Sequence, residues 1–233
     1  MKTFFLACAL SMLSLIPLES GPPIAWNKRV YLASYPRSGN HWLRYLIEEA
    51  TGVATSSVYL DPDPLHQDRI FPWGGYCVAN GYEGTCRYPM PGEIFVVKTH
   101  FPILASQFDK PYFKAIRIIR NPIESFWSFY LYSTKRTGFM PRGLLREYIK
   151  TWAVFQKYWD SADNVLTVRY EDLCEDLPFH FKAILKYIGY SLSPQDIDRA
   201  IEKYPSRKNL PNYTEHFTPD DLAIIKEELG ELM

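Results

Sequence analysis

Residues 30–50, VYLASYPRSGNHWLRYLIEEA, constrain the fold more than any other segment. Val30 to Ser34 is a continuous apolar run ending at Pro36, the pattern of a short buried strand. From His41 to Ala50, the apolar residues Trp42, Leu43, Leu46 and Ile47 fall on one helical face, and Gly52 punctuates its end. The pattern then recurs. EIFVVKTH (93–100), KAIRIIRNP (114–122) and NVLTVRYEDL (164–173) read as buried strands ending in polar residues, and a fifth strand fits within 53–70. Helices are predicted from Pro122 and Glu124, over Leu144–Trp159, before Gly189, after Ser193-Pro194 and after Thr218-Pro219. Strands alternating with helices predict an α/β fold, a central parallel β-sheet layered between helices. In such sheets ligands sit beyond the carboxyl ends of the strands.

The polar residues at those ends are therefore the candidates. After the first strand, SYPRSGNHW puts a Gly-containing turn at a helix N-terminus, where amide N–H groups and the helix dipole attract anions. Arg37 adds a charged fork, Ser38, Asn40 and His41 add donors, Gly39 makes the turn, and Trp42 offers a flat face for a base. The Gly-Lys-Ser/Thr ending of a triphosphate-binding loop is absent. After the second strand, Lys98 and His100 lie two residues apart on an extended segment, so both point to one side. Facing an anion, Lys98 neutralises developing charge and His100 takes a proton from a nucleophile. Arg120 and Ser128 follow the third strand as a clamp for a second anion, Tyr170 follows the fourth, and Arg207-Lys208 lie in a late loop. Each has an ordinary alternative: a surface arginine, a core histidine, a helical serine, a core tyrosine, a solvated basic pair. Their common placement at strand ends points to one site.

Composition frames this reading. The chain has 233 residues, enough for one α/β domain, and a formal net charge of +0, so an anion site must be local and nucleic acid is not expected as a partner. Lys2 precedes an apolar run from Phe4 to Leu18 and then ESGPP. Residues 1–20 fit a cleaved signal peptide first, a short signal-anchor second and a buried helix third, and membrane association is expected only through that segment if it is uncleaved. The domain is then 21–233, with 56–92 as a long Pro-, Gly- and Tyr-rich excursion suited to an acceptor-site loop. In an oxidising compartment Cys77 and Cys86 could close a short disulfide loop, with two unpaired thiols as the alternative, and no zinc spacing is present.

Taken in order, these segments resemble the sulfotransferase superfamily, which uses 3′-phosphoadenosine 5′-phosphosulfate (PAPS) as sulfuryl donor. SYPRSGNHW is similar to the family's YPKSGTTW loop, KTHFP to KTHLP, RNPIESFWS to its 3′-phosphate motif, RYEDL to its adenine-contacting segment and HFTPDDL to the end of its C-terminal motif. The RSGN-W form looks closer to secretory members, including those with WSC domains, though no WSC domain is present here. The resemblance implies a three-layer sandwich of P-loop nucleotide triphosphatase-like topology. It implies that Arg37 and Ser38 to His41 hold the 5′-phosphosulfate, that Trp42 and Tyr170 contact adenine, and that Arg120, Ser128, Arg207 and Lys208 hold the 3′-phosphate. Lys98, His100 and Arg37 would line the reaction centre with His100 as base, and no metal is needed.

Two departures stand out. Arg37 replaces the family's lysine, and it can hold charge but not pass a proton. RKNLPNYTEHFT lacks the glycines of the family's RKGxxG pattern, and Asn212-Tyr213-Thr214 in it is a glycosylation sequon expected to go unused or to lie displaced from the donor site. The expected function is sulfuryl transfer to a hydroxyl or amine, with a carbohydrate or glycoprotein acceptor favoured and a secretory location. The alternatives are a nucleotide kinase or triphosphatase on a similar sheet, and a catalytically degenerate module that binds a glycan or partner.

Overall fold

A computed structural model describes residues 28–57, 72–73, 76–78, 89, 92–103, 112–135, 138, 140–206, 210 and 212–230. The segment 1–20, the Cys77–Cys86 pairing, Arg207 and Lys208 lie outside what it describes. Its strands are β1 (Arg29–Ser34), β2 (Ser56–Ser57), β3 (Pro72–Trp73), β4 (Tyr76–Val78), β5 (Phe95–Thr99), β6 (Lys114–Ile119) and β7 (Val165–Arg169). Its helices are α1 (Asn40–Thr51), α2 (Pro122–Thr134), α3 (Arg142–Asp160), α4 (Tyr170–Glu175), α5 (Leu177–Ile188), α6 (Pro194–Lys203) and α7 (Pro219–Leu229). A 3₁₀ turn spans Thr214–His216.

One sheet has the order β3-β4-β2-β5-β1-β6-β7. The five strands β2, β5, β1, β6 and β7 are parallel, and β4 and β3 extend the edge antiparallel. Alternation along the strands splits the core in two, because successive side chains leave opposite faces. Tyr31, Ala33, Phe95 and Val97 pack with Trp127 of α2, Trp152 of α3 and Ile225 of α7. Val30, Leu32, Val96 and Ile118 pack with Leu46 of α1, Phe181 of α5 and Ala200 of α6. The result is a three-layer α/β sandwich with β1 at its centre, buried along its whole length.

The predicted helix ends carry the expected chemistry. Asn121, Asp176, Ser193 and Thr218 each accept a backbone N–H at the head of their helices, and Thr218 forms a full capping box with Asp221. Gly52 and Gly189 close α1 and α5 in the left-handed conformation. Two elements differ from expectation. The fourth strand ends at Arg169, and Tyr170 opens α4, where Glu171 and Asp172 complement the positive end of the new helix. The 56–92 excursion contributes strands at both ends of the edge hairpin, pairing Ser56 with Val97 and Ser57 with Cys77. The fifth parallel strand expected within 53–70 is therefore β2.

The topology places the site. From β1 the chain passes to β2, beyond β5; from β5 it passes to β6, on the other side of β1. The two connections run in opposite directions, so the carboxyl ends of β1 and β5 frame a crevice.

Burial and capping predict unequal losses. Leu46→Ala, in the fully buried core, should cost about 2–5 kcal/mol. Thr218→Ala should cost about 1 kcal/mol. Urea unfolding, read as a shift in midpoint at constant slope, should return the two variants in that order.

Candidate active site

The crevice is built by the turn between β1 and α1. Arg37 and Gly39 both have positive φ, 66° and 97°. Gly39 also meets a packing limit: a Cβ there would lie 2.6 Å from Tyr170 Cδ2, so the loop can rest on the Tyr170 ring only with glycine at this position. α1 begins without a side-chain cap and without an acidic residue in its first turn, which leaves its leading N–H groups directed into the crevice. Ser38 is fully buried, and its hydroxyl has no hydrogen-bond partner among the described residues. A buried hydroxyl in that state costs free energy until an acceptor or donor reaches it.

Three cations surround this turn. Arg37 is exposed and donates through Nε to Ser128 Oγ at 3.1 Å, with its guanidinium 5.1 Å above the Tyr132 ring. Arg120, 8% exposed, donates through Nη1 to the Arg37 carbonyl at 2.8 Å and stacks its guanidinium 4.7 Å from the Tyr170 ring centre. Lys98, 3% exposed, lies 3.1 Å from His41 Nε2. Arg37 thus links Arg120 and Ser128, the two residues expected to clamp a second anion.

His100, after β5, lies across the crevice, its Nδ1 2.7 Å from the carbonyl of Ser34, the last residue of β1. A carbonyl only accepts, so Nδ1 carries the proton and a neutral His100 keeps its lone pair on Nε2. That is the tautomer a general base requires.

The expected residues thus converge, with differences in detail. Asn40 turns inward: its amide donates to the Leu32 carbonyl at 3.0 Å and to Ser34 Oγ at 3.1 Å, tying the turn to β1. Trp42 donates from its indole to the Tyr204 carbonyl at 3.0 Å and meets Tyr170 edge-on. Tyr170 is 6% exposed and lies beneath the loop. Sequence reasoning missed Glu124, which accepts the Tyr213 N–H at 3.1 Å and stands 3.8 Å from Arg120. Its signal was its place in the first turn of α2, four residues after Arg120. The ring of His216 stacks on Trp127 at 4.0 Å and 13°, so α2 holds the C-terminal segment at two points. Asn212 is exposed, and its side chain accepts from the Thr214 N–H and hydroxyl within its own turn.

A family model described as a sulfotransferase domain matches residues 27–218. The chain belongs to the sulfotransferase family. Among curated relatives it is similar to WSCD family member AAEL009094 of Aedes aegypti, 30% identical over 96% of this chain and 72% of that protein. It is also similar to sulfotransferase 6B1 of Mus musculus, 26% identical over 72% of this chain, and the matched region spans 57% of that relative. Among solved structures it is similar to mouse sulfotransferase SULT7A1 complexed with PAP, at TM-score 0.58 and 17% identity, covering 89% of this chain and 84% of that one. Retinol dehydratase in complex with retinol and PAP matches at TM-score 0.53 and 20% identity, covering 90% and 82%. The fold is that of sulfotransferases, with the P-loop nucleotide triphosphatase-like topology that the family resemblance implied.

The loop geometry has a direct test. Gly39→Ala should destabilise the protein by about 1–3 kcal/mol, since it adds both backbone strain and a clash. Combined with Tyr170→Leu, part of that loss should return. Strict additivity in a double-mutant cycle of urea midpoints would show that the glycine does not answer to Tyr170.

Proposed function

We propose that the chain is a PAPS-dependent sulfotransferase. The observation that carries this reading is a convergence at one crevice: the uncapped start of α1, the buried Ser38 hydroxyl, Arg37, Lys98 and Arg120, facing a His100 whose Nδ1 proton is fixed. A phosphosulfate suits this set. It brings acceptor oxygens to the orphaned hydroxyl and N–H groups, and negative charge to the cations. PAP in the solved structures of similar fold supports the same donor.

On this reading Arg37, Ser38, Gly39, Asn40 and His41 form the 5′ side of the donor site. Asn40 contributes its backbone N–H while its side chain anchors the turn. Arg120 and Ser128 hold the 3′-phosphate, joined by Arg207 and Lys208, and Trp42 with Tyr170 marks the adenine side. His100 Nε2 takes the proton of the acceptor hydroxyl or amine as its oxygen or nitrogen bonds to sulfur and the bond from sulfur to the donor's bridging oxygen breaks. Lys98, Arg37 and the loop amides stabilise the charge that collects on the bridging and sulfuryl oxygens, a contribution that usually exceeds that of proton transfer. Arg37 serves by charge alone.

For the acceptor we favour a carbohydrate or glycoprotein, and for location the secretory pathway. The apolar run of residues 4–18 and the arginine-type loop at Arg37 support this. Among the described residues no helix is long and apolar enough to cross a membrane.

His100→Ala should lower transfer from PAPS by about 100- to 10,000-fold, with PAP affinity changed by no more than a few-fold. Arg120→Ala should act mainly on the donor, weakening PAP by about tenfold or more for the lost charged hydrogen bonds. Radiolabelled transfer across glycan, lipid and peptide acceptors, with calorimetric PAP titration, separates these outcomes. Full turnover by His100→Ala would remove the base from the mechanism.

A further inference from the structure

Glu124 lies 3.8 Å from Arg120 of the proposed 3′-phosphate clamp, and its surroundings are unusual for a charged group. Its side chain is 12% exposed. Oε1 accepts the Tyr213 N–H at 3.1 Å. Oε2 is buried, has no hydrogen-bond partner among the described residues, and stops 3.8 Å short of Arg120 Nη2. That separation is beyond hydrogen-bond reach. The other arm of Arg120 is committed to the Arg37 carbonyl, so Nη2 and Oε2 lie side by side without a hydrogen bond between them.

Among the described residues, the charges that act on Glu124 are those of Arg120 and of a second carboxylate. Glu171 of α4 also acts on Glu124, and its own Oε2 is buried without a partner among the described residues while Oε1 accepts the Asn121 N–H at 2.8 Å. Tyr213 contributes only a backbone dipole from the C-terminal segment. A phosphate dianion added beside Arg120 would meet like charge at Glu124 Oε2, an arrangement that strongly favours protonating one of the partners. Burial pushes the Glu124 carboxyl above the ordinary carboxylate range, and Glu171 pushes the same way, against the opposing pull of the Tyr213 N–H and Arg120.

We propose that Glu124 is a donor-binding residue that works as a neutral carboxylic acid, donating from Oε2 to the 3′-phosphate held by Arg120. Binding then draws one proton from solvent onto Glu124, and that proton stays on the carboxyl. This rests on the sulfotransferase reading. It assigns the 3′-phosphate a hydrogen-bond donor that an ionised carboxylate lacks. By linkage, affinity for a 3′-phosphate should fall as pH rises between the empty-site and bound-site titrations of Glu124.

The test is calorimetric titration of the full chain with PAP and with adenosine 5′-phosphate, in buffers of different ionisation heat, for wild type and Glu124→Gln. Glutamine keeps an oxygen for the Tyr213 N–H and an N–H for the phosphate. A phosphate monoester has its own second pKa at about 6, so the readout is the difference between the two proteins at about pH 7. On binding PAP, we expect wild type to take up about half a proton or more in excess of E124Q. On binding adenosine 5′-phosphate, the two proteins should take up the same amount. We expect E124Q to bind PAP within about threefold of wild type at that pH, with a flatter pH profile. Equal proton uptake by the two proteins on binding PAP overturns the proposal, as does a tenfold or greater loss of PAP affinity in E124Q with the pH profile unchanged. If E124Q fails to fold, the wild-type difference between PAP and adenosine 5′-phosphate decides alone. Absence of PAP binding by wild type overturns the sulfotransferase reading itself.

Discussion

The left-handed turn at Arg37 and Gly39 is the constraint on which the strand ends depend. A buried parallel strand must reverse into a helix within five residues, Tyr35 to Gly39, and two of those residues adopt positive φ. For Gly39 this is inexpensive. For Arg37 it costs about 1–2 kcal/mol, and the surrounding contacts hold it there: Arg120 binds its carbonyl, Ser128 accepts from its side chain, and Asn40 ties the far end of the turn to β1. The turn in return exposes the head of α1. The same contacts that overcome the strain therefore assemble the cationic wall.

β1 explains why those parts meet. It is central in the sheet, pairs with β5 and β6, and is buried on both faces. Its final carbonyl orients His100 from β5, and its turn receives Arg120 from the end of β6. Three segments far apart in sequence become neighbours because two strands share one partner. No side chain in the site needs a long reach, so the geometry rests on sheet hydrogen bonds rather than on mobile loops.

Much of this was legible in the sequence. Helix caps at Ser193 and Thr218 and glycine stops at Gly52 and Gly189 are local signals, and they needed no tertiary information. The parallel sheet followed from strand and helix alternation, and the site from polar residues at strand ends. What stayed hidden was the partner of each polar atom. Asn40 reads as an anion donor until Leu32 and Ser34 are seen to occupy its amide. Tyr170 reads as the end of a strand because it follows the β-branched run VLTVR, while the acidic pair that starts a helix lies one residue later. The pairing of His41 with Lys98 joins residues 57 positions apart and has no signature along the chain. Glu124 reads as an ordinary first-turn acid, since the Tyr213 N–H that it accepts and the Glu171 charge that acts on it come from distant segments.

The stack of His216 on Trp127 has an optical consequence. α2 carries Ser128 toward the loop and grips the C-terminal segment through Glu124 and Trp127. An imidazole lying flat on an indole quenches its emission, most strongly when the imidazole is charged. Trp127 is 1% exposed, so solvent does not otherwise reach it. The fold thus contains an intrinsic fluorophore whose brightness reports whether the chain's last segment is seated on the helix that borders the donor side of the crevice.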